Sequence, residues 1–576
     1  MDQPPPARFA WVRKADGRLV QFEADKISRD LFAAGESLGK PDAFLARELT
    51  DSILHFLEAE VPDPTPSTAQ IADLVVKVVR ELGQPELALA FAKGGTVKDD
   101  HGGGAALLGS RAAPPSGKTG VPPADVTKWV EDGLAAMELV WQAARQALRE
   151  YSLREVFARD LVAAQSEQLL TLGGLDAPLE LSGWSMATVP AGDSVLDMIE
   201  EARSVAGEYL AFDGPEYVLA SRAANPQAAT DYAHAVKLSV RQMHLHAVIN
   251  LHCSVPPSQL GELAMGPLFE AFHTAAEPCV LHDLATALLD EFLQVGSPRS
   301  SIRVDWHLGK NDFTPAGHSG LLRLAKRVLD GSPLAFVFDR PRRGIALAEG
   351  LDRHHPASLL TVFLDLPRLI EQSAPELDET LFLKKLGSLA RLALSAAKQK
   401  REFLRGHAHG RPLLAGGFLL DRARLTVVPV GLETAAQMLL GRGLCSGGSA
   451  PEFARQVVQR LSDVLREDGR TCLMDTCVDS APELQGQPAA SPPRSVPGLT
   501  AWDVTATAKS QLRAASVLHS VADTGTASIL LPDDALPGLE ELADLLSYAW
   551  KQTEVVRVRF LRLAGPANPL PAPWEQ

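Results

Sequence analysis

Two lysines beside a short turn are well placed to bind a phosphate group. Lys14 precedes the dipeptide Asp16-Gly17, and Lys26 follows it. Short apolar runs flank the dipeptide, and an Asp-Gly pair in that setting favours a β-hairpin, because Gly adopts positive φ without steric cost. The pattern predicts a hairpin followed at once by a helix, with both lysines positioned to meet phosphates.

Four helices are predicted after the hairpin, and they must hold these lysines in place. Apolar residues recur at helical spacing in two successive segments that end near Leu57. A third helix begins with a capping box at Ser67 and Gln70, and Gly83 ends it. A fourth helix covers 85–93. The unit spans about 95 residues, which is enough for a core of its own.

The hairpin and the first helix carry two motifs of a known family. Its opening Val-x-Lys-Arg-Asp-Gly matches Val12 to Gly17, and its Phe-Asp-x-x-Lys-Ile element matches Phe22 to Ile27. The unit therefore resembles the ATP-cone, the regulatory nucleotide-binding module of many ribonucleotide reductases. Ala15 departs from the family, which has Arg there, and the missing guanidinium removes a bidentate phosphate contact.

The resemblance implies ATP or dATP as an allosteric ligand and assigns the residues of its site. The family's Thr before the third helix matches Thr68, and a late Lys matches Lys93. The residues so assigned are Val12, Arg13, Lys14, Asp16, Gly17, Lys26, Thr68 and Lys93. The competing interpretation is a small helical domain with exposed lysines, since single basic residues on a surface carry little information.

Composition limits the classes of function. The chain has 576 residues, enough for two or three domains, and 46% of them are hydrophobic. Its net charge of −15 argues against binding to nucleic acid or to a membrane surface. No apolar run is long enough to predict a transmembrane helix. The five cysteines are widely spaced, and we therefore expect a reduced, cytoplasmic location.

The resemblance implies an ATP-cone domain at 1–95. The composition predicts a flexible Gly/Pro-rich linker at 96–123, and the alternation of helical and strand-like segments predicts an α/β body at 124–576 with much parallel sheet. A second Pro-rich break falls at 481–498. The helical patterns of the body are 125–150, 195–208, 226–246, 282–294, 320–330, 379–403, 450–467 and 537–552. Its strand-like runs are 248–251, 301–304, 334–338, 359–364, 425–430 and 527–531.

Several phrases of the body resemble the anaerobic, glycyl-radical class of ribonucleotide reductase large subunits. They are LLTVFLDLPRL (359–369), VVPVGLETAAQMLLG (427–441) and VADTGTASILLPDD (521–534). Residues 248–257 and 181–187 show weaker similarity to the family. Their order matches the family, although Glu433 stands where the family has Asn. The resemblance implies a ten-stranded α/β barrel with a central finger loop.

The catalytic motifs of that family are not found. The sequence lacks the Arg-Val-x-Gly-Tyr motif of the radical glycine, and no Cys follows Cys477 to form the family's zinc site. The interval 280–444 contains no Cys for the finger loop. Near 181–187, where the family has a second Cys, Ser182 cannot replace a thiol. We therefore expect the reductase chemistry to be lost, and the catalytic residues are unknown.

A cluster of His and Cys has the composition of a metal site. Its members are His244, His246, His252 and Cys253. The first two are spaced for one face of a strand, but the region reads as helix, so exposed or packing histidines are the favoured interpretation. No metal is predicted.

Two further groups of residues, one of cysteines and one of arginines, each allow a functional and a structural interpretation. Cys472 and Cys477 are interpreted as small buried side chains rather than a redox pair. Arg340, Arg342 and Arg343 fall where a finger loop would run. They either meet a phosphate in the barrel mouth or are solvated, and both interpretations stay open.

These features predict an ATP- or dATP-binding homologue of the anaerobic reductases that is regulatory or catalytically degenerate. Its expected partners are adenine nucleotides, together with a second copy or an active ribonucleotide reductase. One alternative is an active ribonucleoside-triphosphate reductase that uses a partner's radical. Another is an ATP-cone transcriptional regulator, which ranks last because that family's four-cysteine zinc ribbon is missing and the chain is acidic.

Overall fold

The structure is a computed structural model, and it divides the chain into two compact units, Met1–Leu170 with Lys384–Gly406, and Thr171–Leu383 with His407–Gln576. Within the described residues, no helix is long and apolar enough to cross a membrane. The described residues are 9–61, 63–94, 136–187, 202, 204–221, 226–243, 245–252, 278–293, 302–332, 334–340, 343–348, 350–373, 378–407, 411–446, 448–475, 506–532 and 536–563.

The first unit begins with the predicted hairpin. Strand β1 (Trp11–Arg13) pairs antiparallel with β2 (Leu19–Gln21). Gly17 has φ +84° in the turn, which explains why the dipeptide needs Gly at this position. The predicted hairpin is confirmed.

Four helices follow the hairpin, as predicted. The apolar faces of the first three are buried, and they supply most of the core of this part of the unit. Ser67 and Gln70 form the predicted capping box, with Gln70 N–H donating to Ser67 Oγ over 3.2 Å. The helices are α1 (Ala24–Ser37), α2 (Ala43–Glu60), α3 (Thr68–Glu81) and α4 (Pro85–Gly94).

The rest of the first unit is helical. Helix α5 (Ala136–Tyr151) continues into a π-helical turn (Ser152–Val156), and α6 (Arg159–Ser166) follows. The segment Lys384–Gly406 also belongs to this unit. Its side chains hold acidic residues of the first two helices, as when Arg391 meets Asp51 over 2.7 Å.

The second unit is built on a large sheet. Its strands alternate with helices, which the sequence pattern predicted. The strands are β3 (Leu170–Leu172), β4 (Leu181–Ala187), β5 (Ala206–Asp213), β6 (His246–Leu251), β7 (Ile302–Leu308), β8 (Leu334–Phe338), β9 (Ala346–Ala348), β10 (Leu351–Asp352), β11 (Ala357–Asp365), β12 (Arg424–Val430), β13 (Thr471–Asp475), β14 (Thr524–Pro532) and β15 (Arg557–Leu563).

Ten of these strands close into a barrel. Their order is β12-β13-β14-β15-β8-β7-β6-β5-β4-β11, and β11 pairs with β12 to close the ring. Strands β4 to β8 run parallel to one another, as do β11 to β15 without interruption. The two halves meet antiparallel, at β15 with β8 and at β11 with β4. The predicted ten-stranded barrel is confirmed.

Helices cover the outside of the barrel. Leu210, Ile249 and Val304 point outward and pack in one core with helical residues such as Val236 and Leu288. The helices of this part of the chain are α7 (Pro215–Ser221), α8 (Pro226–Met243), α9 (Pro278–Leu293), α10 (His318–Leu329), α11 (Leu366–Ser373), α12 (Glu379–His407), α13 (Pro412–Ala415), α14 (Phe418–Arg422), α15 (Leu432–Leu440), α16 (Ala450–Leu465), α17 (Ala508–His519) and α18 (Leu539–Gln552). Of α12, the residues Lys384–Gly406 belong to the first unit.

The short hairpin β9–β10 lies on the inner face of the barrel. Leu347 and Leu351 pack against Tyr209, Ala211 and Val248. These strand residues alternate with the outward-facing ones, so the face that they form is turned away from the helices. The hairpin joins the two halves of the barrel and occupies the position expected for a finger loop.

All six predicted strand-like runs overlap observed strands. The predicted helix at 195–208 is wrong in its last residues, because Ala206 begins β5 there. Both the predicted linker at 96–123 and the Pro-rich break at 481–498 lie outside the described residues. The domain bounds and the cytoplasmic location remain predictions.

Candidate functional site

The first candidate site lies where the hairpin meets the start of α3. The Arg13 N–H donates to the Pro66 carbonyl over 3.0 Å, and Arg13 forms a parallel bridge with Ser67. The Arg13 guanidinium approaches Thr65 Oγ1 at 3.5 Å. These contacts fix the end of β1 beside Thr68, whose side chain is exposed in the first turn of α3.

The turn of the hairpin fixes the backbone of Lys14. The Lys14 N–H donates to the Arg18 carbonyl, and the Lys14 carbonyl accepts the Gly17 N–H, each over 2.9 Å. Asp16 accepts the Arg18 N–H over 3.0 Å, and this hydrogen bond lowers the pKa of the Asp16 carboxyl. Asp16 thus stabilises the turn itself.

The other predicted site residues are spread over the same small unit. Val12 is buried in the core, so its side chain supports β1 rather than facing solvent. Lys26 is exposed in the first turn of α1, and Lys93 is exposed in the last turn of α4. The assignment of these residues to a nucleotide site remains a prediction.

A second candidate site fills one end of the barrel interior. It contains side chains from the carboxyl ends of four neighbouring parallel strands, where ligands commonly bind in α/β proteins. All are buried: Asp213 ends β5, Asn250 lies in β6, His252 follows β6, His307 lies in β7 and Asp339 follows β8.

Hydrogen bonds join these side chains into one network. His252 Nε2 lies 2.6 Å from Asp213 Oδ1. His307 Nδ1 lies 2.9 Å from Asp339 Oδ2, and its Nε2 lies 3.0 Å from Asn250 Oδ1. The two imidazole rings have centroids 3.9 Å apart. The network therefore has little freedom to rearrange.

The finger hairpin completes this network. Arg353 follows β10, and its guanidinium donates to both carboxylate oxygens of Asp213 over 2.9 and 3.1 Å. Both side chains are only 4% exposed. Because an unpaired charge is costly at such a depth, each side chain stabilises the other's placement.

Burial and neighbouring charges shift the pKa values of the network. Burial alone would lower the pKa of His252, but the Asp213 carboxylate outweighs it and raises that pKa to about 9. Burial lowers the pKa of His307 despite Asp339 beside it. Burial opposes ionisation of Asp339, but His307 and His252 bring its pKa down to about 2. The carboxylates are thus charged at neutral pH.

The interpretation of the histidine cluster needs correction. His246 begins β6 rather than ending a helix, and His252 is fully buried and hydrogen-bonded. His246 is exposed, in agreement with the interpretation made for it, while His244 and Cys253 lie outside the described residues. His252 combines instead with residues distant in the sequence, which a local motif search does not detect.

Neither interpretation of the basic run near 340 is correct for its described members. The Arg340 guanidinium donates to the carbonyls of Ala549 and Thr553 over 2.9 and 2.8 Å, at the end of α18. Arg343 donates to the His519 carbonyl at the end of α17. Both arginines therefore cap helix C-termini, where a cation is favoured. Arg342 lies outside the described residues.

Two other singled-out residues have structural roles. Glu433 is buried and accepts the Leu444 N–H over 2.7 Å, so it fixes the loop after α15. Cys472 is buried in β13, as expected, and burial raises the pKa of its thiol to about 12. Cys477 lies outside the described residues.

Comparison with known families identifies the N-terminal domain. Residues 11–92 match the ATP cone domain. The chain carries an ATP cone domain. The match covers the hairpin and the four helices, including every residue assigned to the ATP cone except Lys93.

Solved structures give the fold of the rest. The chain is similar to the anaerobic ribonucleotide reductase from Thermotoga maritima in complex with dATP and CTP, with TM-score 0.58 and 12% identity over 76% of this chain and 86% of that one. The same enzyme with citrate in the active site gives a TM-score of 0.58 and 12% identity, over 76% of this chain and 93% of that one. The barrel thus has the fold of that reductase. A comparison with curated proteins found no match.

Proposed function

We propose that this protein senses adenine nucleotides through its ATP cone and uses its barrel as a regulatory, catalytically degenerate body. The observation that carries the proposal is the bridge between Arg13 and Ser67. It places the basic end of β1 at the N-terminus of α3, where backbone N–H groups and the helix dipole favour a phosphate.

The ligand proposed is ATP or dATP. One of the similar reductase structures was solved in complex with dATP and CTP, and another with dATP in the specificity site. In this chain Lys14 and Lys26 would supply charge to the phosphates. Ala15 supplies none, so we expect weaker binding than a guanidinium at that position would give.

The finger hairpin supports a body without radical reductase chemistry. The resemblance requires a thiol on this loop, but no Cys occurs between β8 and β11. Leu347, Ala348 and Leu351 form the hairpin's buried face instead. Aliphatic side chains of this kind carry no group for radical transfer, so we propose signalling rather than turnover as the output.

The proposed output is a change of association. A nucleotide-loaded ATP cone would contact either a second copy of this chain or an active ribonucleotide reductase. Sedimentation of the full-length protein with ATP and with dATP tests self-association directly. The same measurement with an anaerobic reductase large subunit added tests the second partner.

Calorimetric titration of the full-length protein with ATP and with dATP tests the nucleotide proposal. We expect binding that Lys14→Ala weakens at least tenfold, because one charge-assisted phosphate contact is lost. Lys77→Ala is the matched control, since Lys77 lies farther along α3 and pairs with Glu60. Absence of binding to either nucleotide, or equal binding by Lys14→Ala, would contradict the proposal.

An active enzyme is the second candidate. It is favoured by the buried Asp, Asn and His side chains at the carboxyl ends of the barrel strands, since perturbed pKa values in such a place are typical of catalytic sites. Turnover of a ribonucleoside triphosphate with a partner-supplied radical would establish it. Turnover that Cys445→Ala abolishes would in addition identify the thiol.

A further inference from the structure

The buried His252, His307 and Asp339 form a cluster that the nucleotide proposal does not use. One donor atom from each lies within 4.8 Å of the other two. Each residue stands at or near the carboxyl end of a different strand, and the three strands β6, β7 and β8 are neighbours. The barrel itself therefore brings the three donors together.

Asn250 determines which nitrogen of His307 carries hydrogen. Asn250 Nδ2 donates to the Phe212 carbonyl over 3.2 Å, so its Oδ1 is the atom that faces His307 Nε2. That oxygen only accepts, and Nε2 must therefore carry the N–H. In a neutral ring this leaves the lone pair of Nδ1 directed at the Asp339 carboxylate.

His252 directs its Nδ1 atom to the same place. Its Nε2 faces the Asp213 carboxylate, which accepts the N–H of that nitrogen. Its Nδ1 is buried, has no hydrogen-bond partner among the described residues, and lies 3.9 Å from Asp339 Oδ2. Once a metal displaces the proton that the raised pKa of His252 keeps on this ring, two imidazole lone pairs converge on one carboxylate.

A proton on His252 alone leaves His307 Nδ1, as a second acceptor, facing the Asp339 carboxylate at 2.9 Å. Protons on both rings would place two cations in a buried site with ring centroids only 3.9 Å apart. One divalent ion would satisfy all three donors at once. The outer contacts from Asp213 and Asn250 match the carboxylate and carbonyl groups that orient metal-binding histidines.

We propose that His252 Nδ1, His307 Nδ1 and a carboxylate oxygen of Asp339 bind a first-row divalent transition metal ion. Tetrahedral zinc would separate neighbouring donors by about 3.3 Å, given bonds of about 2.0 Å. The separations of 2.9 and 3.9 Å from Asp339 bracket that value.

The donor set selects the class of metal. Imidazole suits Zn²⁺, Fe²⁺ and Ni²⁺, whereas Mg²⁺ and Ca²⁺ prefer sites made of oxygen. Two histidines with one carboxylate are also the donor set of several catalytic zinc and mononuclear iron sites. A metal here would polarise an oxygen of a ligand or activate a water inside the barrel.

Zinc titration of the full-length, chelator-treated protein tests the proposal, in the absence of nucleotide. We expect one tightly bound equivalent by calorimetry and by mass-spectrometric metal analysis. Asp339→Asn and His307→Gln should each weaken it at least 100-fold, while far-UV circular dichroism is unchanged. His234→Ala, which removes an exposed histidine of α8, is the control and should bind as the wild type does.

X-ray absorption of the zinc-loaded wild type provides a readout that needs no variant to fold. Two imidazoles with oxygen donors would support the site. Sulfur ligands, an all-oxygen shell, a lack of stoichiometric binding, or wild-type affinity in folded Asp339→Asn would each overturn it. Because nucleotide is absent, Lys14→Ala should leave zinc binding unchanged, so this proposal and the nucleotide proposal fail separately.

Discussion

Arg47 donates two hydrogen bonds of 2.8 Å to a single oxygen of Asp25, and its side chain is only 2% exposed. Arg47 also donates to the Arg391 carbonyl over 3.3 Å, and Lys398 reaches the other oxygen of Asp25 at 3.4 Å. The pair therefore joins α1 and α2 of the ATP cone to the segment 384–406. Asp25 lies next to Lys26, so the pair also fixes the start of the helix that carries this predicted phosphate ligand.

Arg47→Met should destabilise the first unit strongly. The substitution keeps the apolar stem but leaves Asp25 buried without its main partner, which costs about 3 kcal/mol in comparable pairs. Thermal unfolding by calorimetry measures the change. Lys77→Met breaks the exposed pair with Glu60 and should change the midpoint little. Equal effects of the two substitutions would contradict this account.

Thr68→Val should weaken nucleotide binding without weakening the fold. The hydroxyl is exposed at the start of α3, while the capping box of Ser67 and Gln70 remains intact. Loss of one hydrogen bond corresponds to about 1 kcal/mol, or roughly fivefold in affinity. Calorimetry with ATP measures binding, and the melting midpoint without nucleotide should stay the same. A lowered midpoint would show that Thr68 is structural instead.

Asp365→Asn should remove part of the pH dependence of stability. Burial raises the pKa of the Asp365 carboxyl from 3.8 to about 6, although it accepts the Arg368 N–H. The folded protein holds a proton that the unfolded chain releases. The stabilisation is therefore complete below pH 3.8 and is lost as pH rises through about 6.

Asn keeps the acceptor for the Arg368 N–H and carries no charge. At pH 7.5 we expect Asp365→Asn to be more stable than the wild type by on the order of 1 to 2 kcal/mol, with no gain at pH 4. Urea unfolding at both pH values measures this. Asp378→Asn changes an exposed helix cap of the same kind and controls for the strength of the cap itself. The prediction would be contradicted if the difference in stability between Asp365→Asn and the wild type were the same at both pH values.

Gly183→Ala should destabilise the barrel. A Cβ at Gly183 would overlap the ring of Tyr209 on the neighbouring strand, and that ring is only 9% exposed. Overpacking of this kind costs about 2 kcal/mol. Gly320→Ala is the control, because a Cβ there meets nothing within 4 Å in helix α10 and should stabilise by about 0.5 to 1 kcal/mol. Denaturant unfolding shows whether each substitution lowers or raises the free energy of unfolding.

The ATP cone was predictable because its signals are local. Asp16-Gly17 sets a hairpin and Ser67 starts a helix within a few residues of chain, so neighbouring residues alone specify them. The barrel's strands were also found, since apolar runs between turn signals are typical of buried strands. The pairing of β15 with β8 joins residues more than 200 apart, and no sequence pattern specifies it.

The polar interior was missed for a physical reason. Strands of a parallel sheet are expected to be apolar on both faces, and Asn250 and Asp305 depart from that expectation. In a barrel the inner face can be polar. The sequence signal of such a face is a polar residue at every second position of a strand. Asn250 and His252 are spaced in this way, as are Arg303, Asp305 and His307. That alternation would have placed His252 and His307 on the same face before the structure was known.

The position of β15 in the barrel has a consequence for synthesis of the protein. This strand pairs with β14 on one side and with β8 on the other. Until residues 557–563 have left the ribosome, β8 has an open edge and the barrel interior stays in contact with solvent. Open edges invite aggregation, so closure must follow release quickly. The same interval gives ions access to His307 and Asp339 before they are enclosed.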